Sequence, residues 1–202
     1  MSLYPSIKFL TSAAEPHQLA ADSGREIAFA GRSNSGKSTA INAITQRNGL
    51  ARVSRTPGRT QLINFFELAP DRRLVDLPGY GFAKVPERVR RHWLQSMEHY
   101  FNHRKSLVGL MLIVDSRRGL GEQDVGMLEW VLGRDRAAHV LLTKADKLNR
   151  RDSQKVLKDT LAACSDAPVS AQLFSAHANE GLDEARGTMD GWLAGEGEIG
   201  VP

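Results

Sequence analysis

Short apolar runs alternate along this chain with longer stretches in which apolar residues recur at helical spacing. The runs at 26–30, 61–68, 74–76, 108–115, 138–143 and 169–175 are nearly continuous, as expected of strands covered on both faces. The stretches 37–46, 87–102, 121–132, 151–163 and 182–193 carry the helical period. Strand followed by helix, repeated, predicts a three-layer α/β domain: a mostly parallel central sheet with helices on both faces. Two long polar segments, 47–60 and 78–86, interrupt the pattern. Segments of that length inside a compact domain tend to carry function. The Gly-rich end, 194–202, is expected to fray.

A chain of 202 residues suits one domain spanning 1–202, with a short N-terminal extension over about 1–24. With 41% apolar and 25% charged residues the composition is that of a soluble globular protein. No run is long enough to cross a bilayer, and the N-terminus lacks a secretory apolar core, so no membrane partner is expected. Cys164 is the only cysteine; no intrachain disulfide can form, and a cytoplasmic location is the simplest reading. Cys164 itself reads as a small buried hydrophobe. The net charge of +4 is unevenly spread: residues 1–105 hold 16 Lys/Arg against 8 Asp/Glu, the rest 11 against 15, giving +8 and −4. A basic half suggests a polyanionic partner such as RNA.

Gly31-Arg32-Ser33-Asn34-Ser35-Gly36-Lys37-Ser38, followed by Thr39, matches G-x-x-x-x-G-K-[ST] between an apolar run and a helical stretch. The two glycines let backbone N–H groups turn toward phosphate oxygens, and the following helix N-terminus favours negative charge. Lys37 would neutralise the β- and γ-phosphates, and the Ser38 hydroxyl would ligate Mg²⁺. Asp76-Leu77-Pro78-Gly79 ends the run at 74–76. Asp76 is the second candidate Mg²⁺ ligand, and the Gly79 N–H is free to approach the γ-phosphate. Thr143-Lys144-Ala145-Asp146 ends the run at 138–143. Asp146 can accept from N1–H and the 2-amino group of guanine, donors that adenine lacks, while the Lys144 stem covers the base. Phe174-Ser175-Ala176 would supply a backbone N–H to the base oxygen. Between the first helix and the next strand, Gly58-Arg59-Thr60 forms the candidate switch loop. Its Thr60 would meet Mg²⁺ and γ-phosphate only in the triphosphate state, with Thr56 as the rival. Lys37, Thr60 and Gly79 are therefore the candidates that act on the transferring phosphate.

The segments EIAFAGRSNSGKS (26–38), TPGRTQLINF (56–65), VDLPGYGFAK (75–84) and TKADK (143–147) resemble the EngB (YihA) family of ribosome-biogenesis GTP-binding proteins, within the translation-factor-like P-loop GTPases. The resemblance implies a single GTPase domain that binds GTP and GDP with Mg²⁺ and assists assembly of the large ribosomal subunit. Ser35 departs from it, standing where the family more often has an apolar residue. Ser175-Ala176 departs from a commoner Ser-Ser start.

Small GTPases orient the attacking water with a Gln after the glycine of the second motif; here that position is Tyr80, so slow intrinsic hydrolysis is expected. An RNA- or ribosome-docking module with negligible turnover is the alternative. In similar GTPases the residue at Asn34 ligates K⁺, so K⁺ is a second candidate cofactor; equally, Asn tolerates unusual loop backbone. On the stretch 87–102 and just beyond, Trp93, Tyr100 and Phe101 read as core anchors. The resemblance implies that Arg88, Arg90, Arg91, Arg104 and Lys105 could form a phosphate-contacting face beside the second switch; by themselves they read as a solvated charged helix face. His92, His99 and His103 read as solvated or RNA-facing rather than metal-binding. No heptad pattern argues for self-association, so a monomer is expected.

Overall fold

The computed structural model describes residues 4–51, 62–81 and 86–195. Their strands are β1 (Lys8–Ala13), β2 (Arg25–Gly31), β3 (Ile63–Ala69), β4 (Arg72–Asp76), β5 (Leu107–Asp115), β6 (Ala137–Thr143) and β7 (Val169–Leu173). The helices are α1 (Lys37–Thr45), α2 (Glu87–His103), α3 (Glu122–Leu132), α4 (Arg150–Ala163) and α5 (Leu182–Ala194). The seven strands form one sheet in the order β1-β3-β4-β2-β5-β6-β7. β4, β2, β5, β6 and β7 run parallel; β3 is antiparallel to both β1 and β4. This is the expected three-layer α/β architecture.

Side chains of the central strands point alternately to two cores. Ala28 and Ala30 of β2, with Leu110, Leu112 and Val114 of β5, pack under α2 and α3 against Met97, Tyr100, Phe101 and Leu128. Ile27 and Phe29, with Met111 and Ile113, pack under α1 and α5 against Ile41, Ile44, Met189 and Trp192. Gly109 is required here: a Cβ on it would lie 2.4 Å from the Trp192 ring. Tyr100 and Phe101 are buried as expected, Trp93 is half-buried against the same core, and Cys164 is buried.

The segment expected as an N-terminal extension contributes β1, which the hydrophobic pattern does not reveal. As an edge strand it leaves Lys8, Phe9 and Leu10 exposed, so it shows no buried run. β4 also starts two residues earlier than predicted, because Arg72 and Arg73 pair in register with Arg25 and Glu26 of β2.

Arg104 does not lie on the expected helix surface. It is buried, with Nε and Nη2 donating to Glu26 at 2.9 and 2.5 Å, and its side chain is no part of a surface facing phosphate. Arg73 Nε donates to the same carboxylate at 2.8 Å, and the Tyr100 hydroxyl lies 3.4 Å away. The two guanidiniums also hold the Ala20 and Ala21 carbonyls, fastening the segment before β2 across the N-terminal end of the sheet. Arg88 and Arg91 remain exposed on α2, and Arg90 pairs with Glu87 at 3.0 Å.

Candidate nucleotide site

The parallel strands β2, β4, β5 and β6 all end at one edge of the sheet, and three of the sequence motifs emerge there. At the end of β2 the chain curls through Asn34 (φ 64°) and Gly36 (φ 99°) before α1 begins at Lys37. Both angles lie in the left-handed region, which glycine and asparagine tolerate. Left-handed backbone at position 34 is one of the two roles the sequence allows for Asn34. Thr39 is exposed on the first turn of α1.

The Lys37 ammonium meets the Asp76 carboxylate at the end of β4, and both side chains are nearly buried. Through this contact the Asp76 carboxylate lies at the start of α1, where Ser38 follows Lys37. A carboxylate and a hydroxyl are hard oxygen donors of the kind Mg²⁺ takes. Leu77 turns into the core, and its N–H donates to Phe29 O at 3.0 Å. The 78–80 segment lies directly on the loop: Ser33 N–H donates to Tyr80 O at 2.8 Å and Tyr80 N–H to Gly31 O at 3.3 Å. Gly79 faces that loop, where a Cβ on it would stand 3.6 Å from the Ser33 nitrogen, an ordinary contact distance.

At the end of β6, Lys144 adopts φ 59° and its ammonium reaches back to Asn34 O at 2.7 Å and Asp115 at 2.8 Å. Thr143 Oγ1 donates to Ser35 O at 2.5 Å. The lysine stem is thereby held beside the phosphate loop. Asp146 Oδ1 accepts from Ser175 Oγ at 2.6 Å, and Lys147 lies 3.0 Å from Oδ2. These two contacts lower the Asp146 pKa, which keeps the carboxylate ionised as an acceptor. Phe174 is buried, and its backbone joins the two loops: its N–H donates to Leu142 O and its carbonyl accepts from Ala145 N–H. Ala176 is half-buried next to them.

Curated relatives share nearly the whole chain. Probable GTP-binding protein EngB of Coxiella burnetii is 48% identical over 195 residues, covering 96% of this chain and 95% of the relative. The chain belongs to the EngB family of GTP-binding proteins. The EngB relative of Stenotrophomonas maltophilia is 50% identical over 190 residues, with 92% and 94% covered. A family model described as 50S ribosome-binding GTPase matches residues 26–144. Among solved structures, the crystal structure of a probable GTP-binding protein engB superposes with a TM-score of 0.68 at 25% identity, covering 84% of this chain and 99% of that one.

Against this EngB frame, the structure brings together Gly31–Thr39 (31–39), Asp76–Gly79 (76–79), Thr143, Lys144, Asp146 and Phe174–Ala176 (174–176). Gly58, Arg59, Thr60 and the rival Thr56 lie outside the described residues. Two further residues join the site from outside any of the sequence motifs. Asp115, at the end of β5, holds the Lys144 ammonium, while Arg117 Nη2 donates to the same oxygen at 2.7 Å. Hydrogen bonds from Arg117 and then Lys144 outweigh burial and keep the Asp115 pKa far below the usual carboxylate range. Its position as the last residue of an apolar run was the available signal. The other is Asp124, which accepts from the Tyr80 hydroxyl at 2.6 Å. The Ser35 hydroxyl is buried with no hydrogen-bond partner among the described residues, which gives a physical reason why an apolar residue suits that position.

Proposed function

We propose that this chain is a Mg²⁺-dependent GTP-hydrolysing switch, slow by itself, that acts as a monomer in the cytoplasm and assists large-subunit assembly by binding ribosomal particles in its GTP state. The observation that carries the reading is the meeting of the Lys37, Asp76, Gly79 and Asp146 motifs at one sheet edge in a chain matched by a model of 50S ribosome-binding GTPases. Asp146 would select guanine, and the Lys144 stem would cover the base. Lys37 would leave Asp76 for the β- and γ-phosphates, freeing the carboxylate to join Ser38, and Thr60 in the triphosphate state, around the metal. Mg²⁺ would supply neutralisation of the charge that develops on the phosphate oxygens.

Slow turnover is supported by Tyr80. Its phenol is buried and bonded to Asp124, so it neither reaches nor orients a water at the γ-phosphate. The same observation supports the second reading, a nucleotide-dependent docking module that hardly turns over. Co-sedimentation with large ribosomal subunits at moderate salt tests the partner, with a non-hydrolysable GTP analogue compared against GDP. Binding with the analogue alone is expected. Binding that ignores the nucleotide and vanishes with modest salt would reduce the interaction to nonspecific basic attraction. Single-turnover hydrolysis with and without particles separates switch from docking module.

A further inference from the structure

The glycine of the second motif is followed by a tyrosine whose two ends are both tied down. Its backbone is bonded on each side to the phosphate-cradling loop, through Ser33 N–H and Gly31 O. Its hydroxyl donates to Asp124 Oδ1 at 2.6 Å inside the protein. Asp124 cannot easily follow a moving tyrosine, because its other oxygen accepts the Gly121 N–H at 2.9 Å at the start of α3. The neighbouring segment is held too. Trp93 of α2 donates from Nε1 to Pro78 O at 3.3 Å, and its ring packs on Tyr80 with centroids 5.9 Å apart. Past the tyrosine, Gly81 (φ 77°) sits against the Arg32 side chain, whose guanidinium also lies beside Gly121.

These contacts compete with a terminal phosphate. In the structure the Ser33 N–H, one of the donors of the phosphate-cradling loop, is occupied by the Tyr80 carbonyl. Beside Gly79 the same loop leaves room for about a methyl group, since a Cβ built there would stand 3.5 Å from Gly31 O and 3.6 Å from the Ser33 nitrogen. A γ-phosphate held between the loop and the Gly79 N–H must push the two apart, which withdraws the Tyr80 carbonyl and pulls on its phenol. A diphosphate makes no such demand. We propose that Asp124 is a positioning residue: with the Tyr80 phenol it forms a latch that holds the 76–80 loop onto the phosphate-cradling loop and favours the diphosphate over the triphosphate state. The proposal rests on the reading of this chain as a GTP switch. A partner that draws on the 76–80 loop would then act by opening the latch.

The test uses the full chain and three variants, titrated with fluorescent GDP and a fluorescent non-hydrolysable GTP analogue in excess Mg²⁺. Tyr80→Phe removes only the hydroxyl. Asp124→Ala breaks the latch from the other side and leaves no buried carboxylate unpaired. Asp124→Asn keeps it, since the carbonyl can accept from Gly121 while the amide donates to the phenol oxygen. In both Tyr80→Phe and Asp124→Ala the analogue-to-GDP affinity ratio should rise about tenfold, the size of one hydrogen bond to a charged group, with GDP affinity nearly constant. Asp124→Asn should remain within about twofold of wild type, since the bond is retained. An unchanged ratio in either latch-breaking variant overturns the proposal. So does equal weakening of both nucleotides with a lowered Tm, the signature of a purely structural contact. Failure of the wild-type chain to bind either nucleotide would instead overturn the switch reading on which the latch rests.

Discussion

Glu26 offers a sharp test of what holds the sheet together apart from the nucleotide site. Its carboxylate is fully buried and is the shared acceptor for Arg73 and Arg104. Glu26→Ala leaves two nearly buried guanidiniums facing each other without the charge that pairs them. Removing one partner of a buried ion pair costs about 3–5 kcal/mol, because the remaining charge stays desolvated. For a domain of this size each kcal/mol moves Tm by roughly 2–4 °C, so a fall of about 6–20 °C is expected. Glu26→Gln keeps the hydrogen-bond acceptor and loses the charge, and should cost less, about 1–3 kcal/mol. Urea unfolding followed by tryptophan fluorescence measures both. Glu26 lies five positions before Gly31 on the same strand, about 16 Å from the phosphate-cradling loop. GDP affinity measured well below the lowered Tm should therefore be unchanged. A loss of less than about 1 kcal/mol in Glu26→Ala would refute the assignment of the cluster as a main fastening of the sheet. Lost GDP affinity in the folded variant would refute its independence from the site.

Two further outcomes follow from individual side chains. Asp146→Asn places an amide donor opposite the guanine donors, and GTP and GDP affinity should both fall by roughly 100-fold or more. An effect below tenfold would mean that another group reads the base. His139 is buried between Ser170 Oγ at 2.7 Å and Gln172 Oε1 at 2.9 Å, and burial lowers its pKa to about 4. Below its ordinary pKa near 6.5 the unfolded chain takes up a proton that the folded chain refuses. Stability should therefore fall as pH drops from about 6.5 to 4, by at most about 3 kcal/mol. Urea midpoints across that range should flatten in His139→Asn; an identical slope in the variant would assign the pH dependence elsewhere.

Local patterns carried much of this protein in plain view. The phosphate-cradling loop is readable because its backbone needs glycine or asparagine at fixed spacings, and Asn34 and Gly36 do take left-handed angles. The buried strands β2, β5 and β6 are readable because both faces are covered, which leaves unbroken apolar runs. The site motifs among the described residues fall at strand ends for the same local reason, a run followed by a turn. What could not be read was which distant groups meet. β1 carries no buried run because it lies at the sheet edge, and only pairing with β3 makes it a strand. Arg104 looks like any surface arginine until the order β4-β2-β5 sets Arg73 and the end of α2 on either side of Glu26. Tyr80 and Asp124 are 44 positions apart, and Lys144 is 29 from Asp115. Periodicity and turn chemistry act over a few residues, so one sequence suffices to place them. Burial of charge and the pairing of side chains depend on strand order and helix placement, and those are settled only when the whole sheet closes around its two cores.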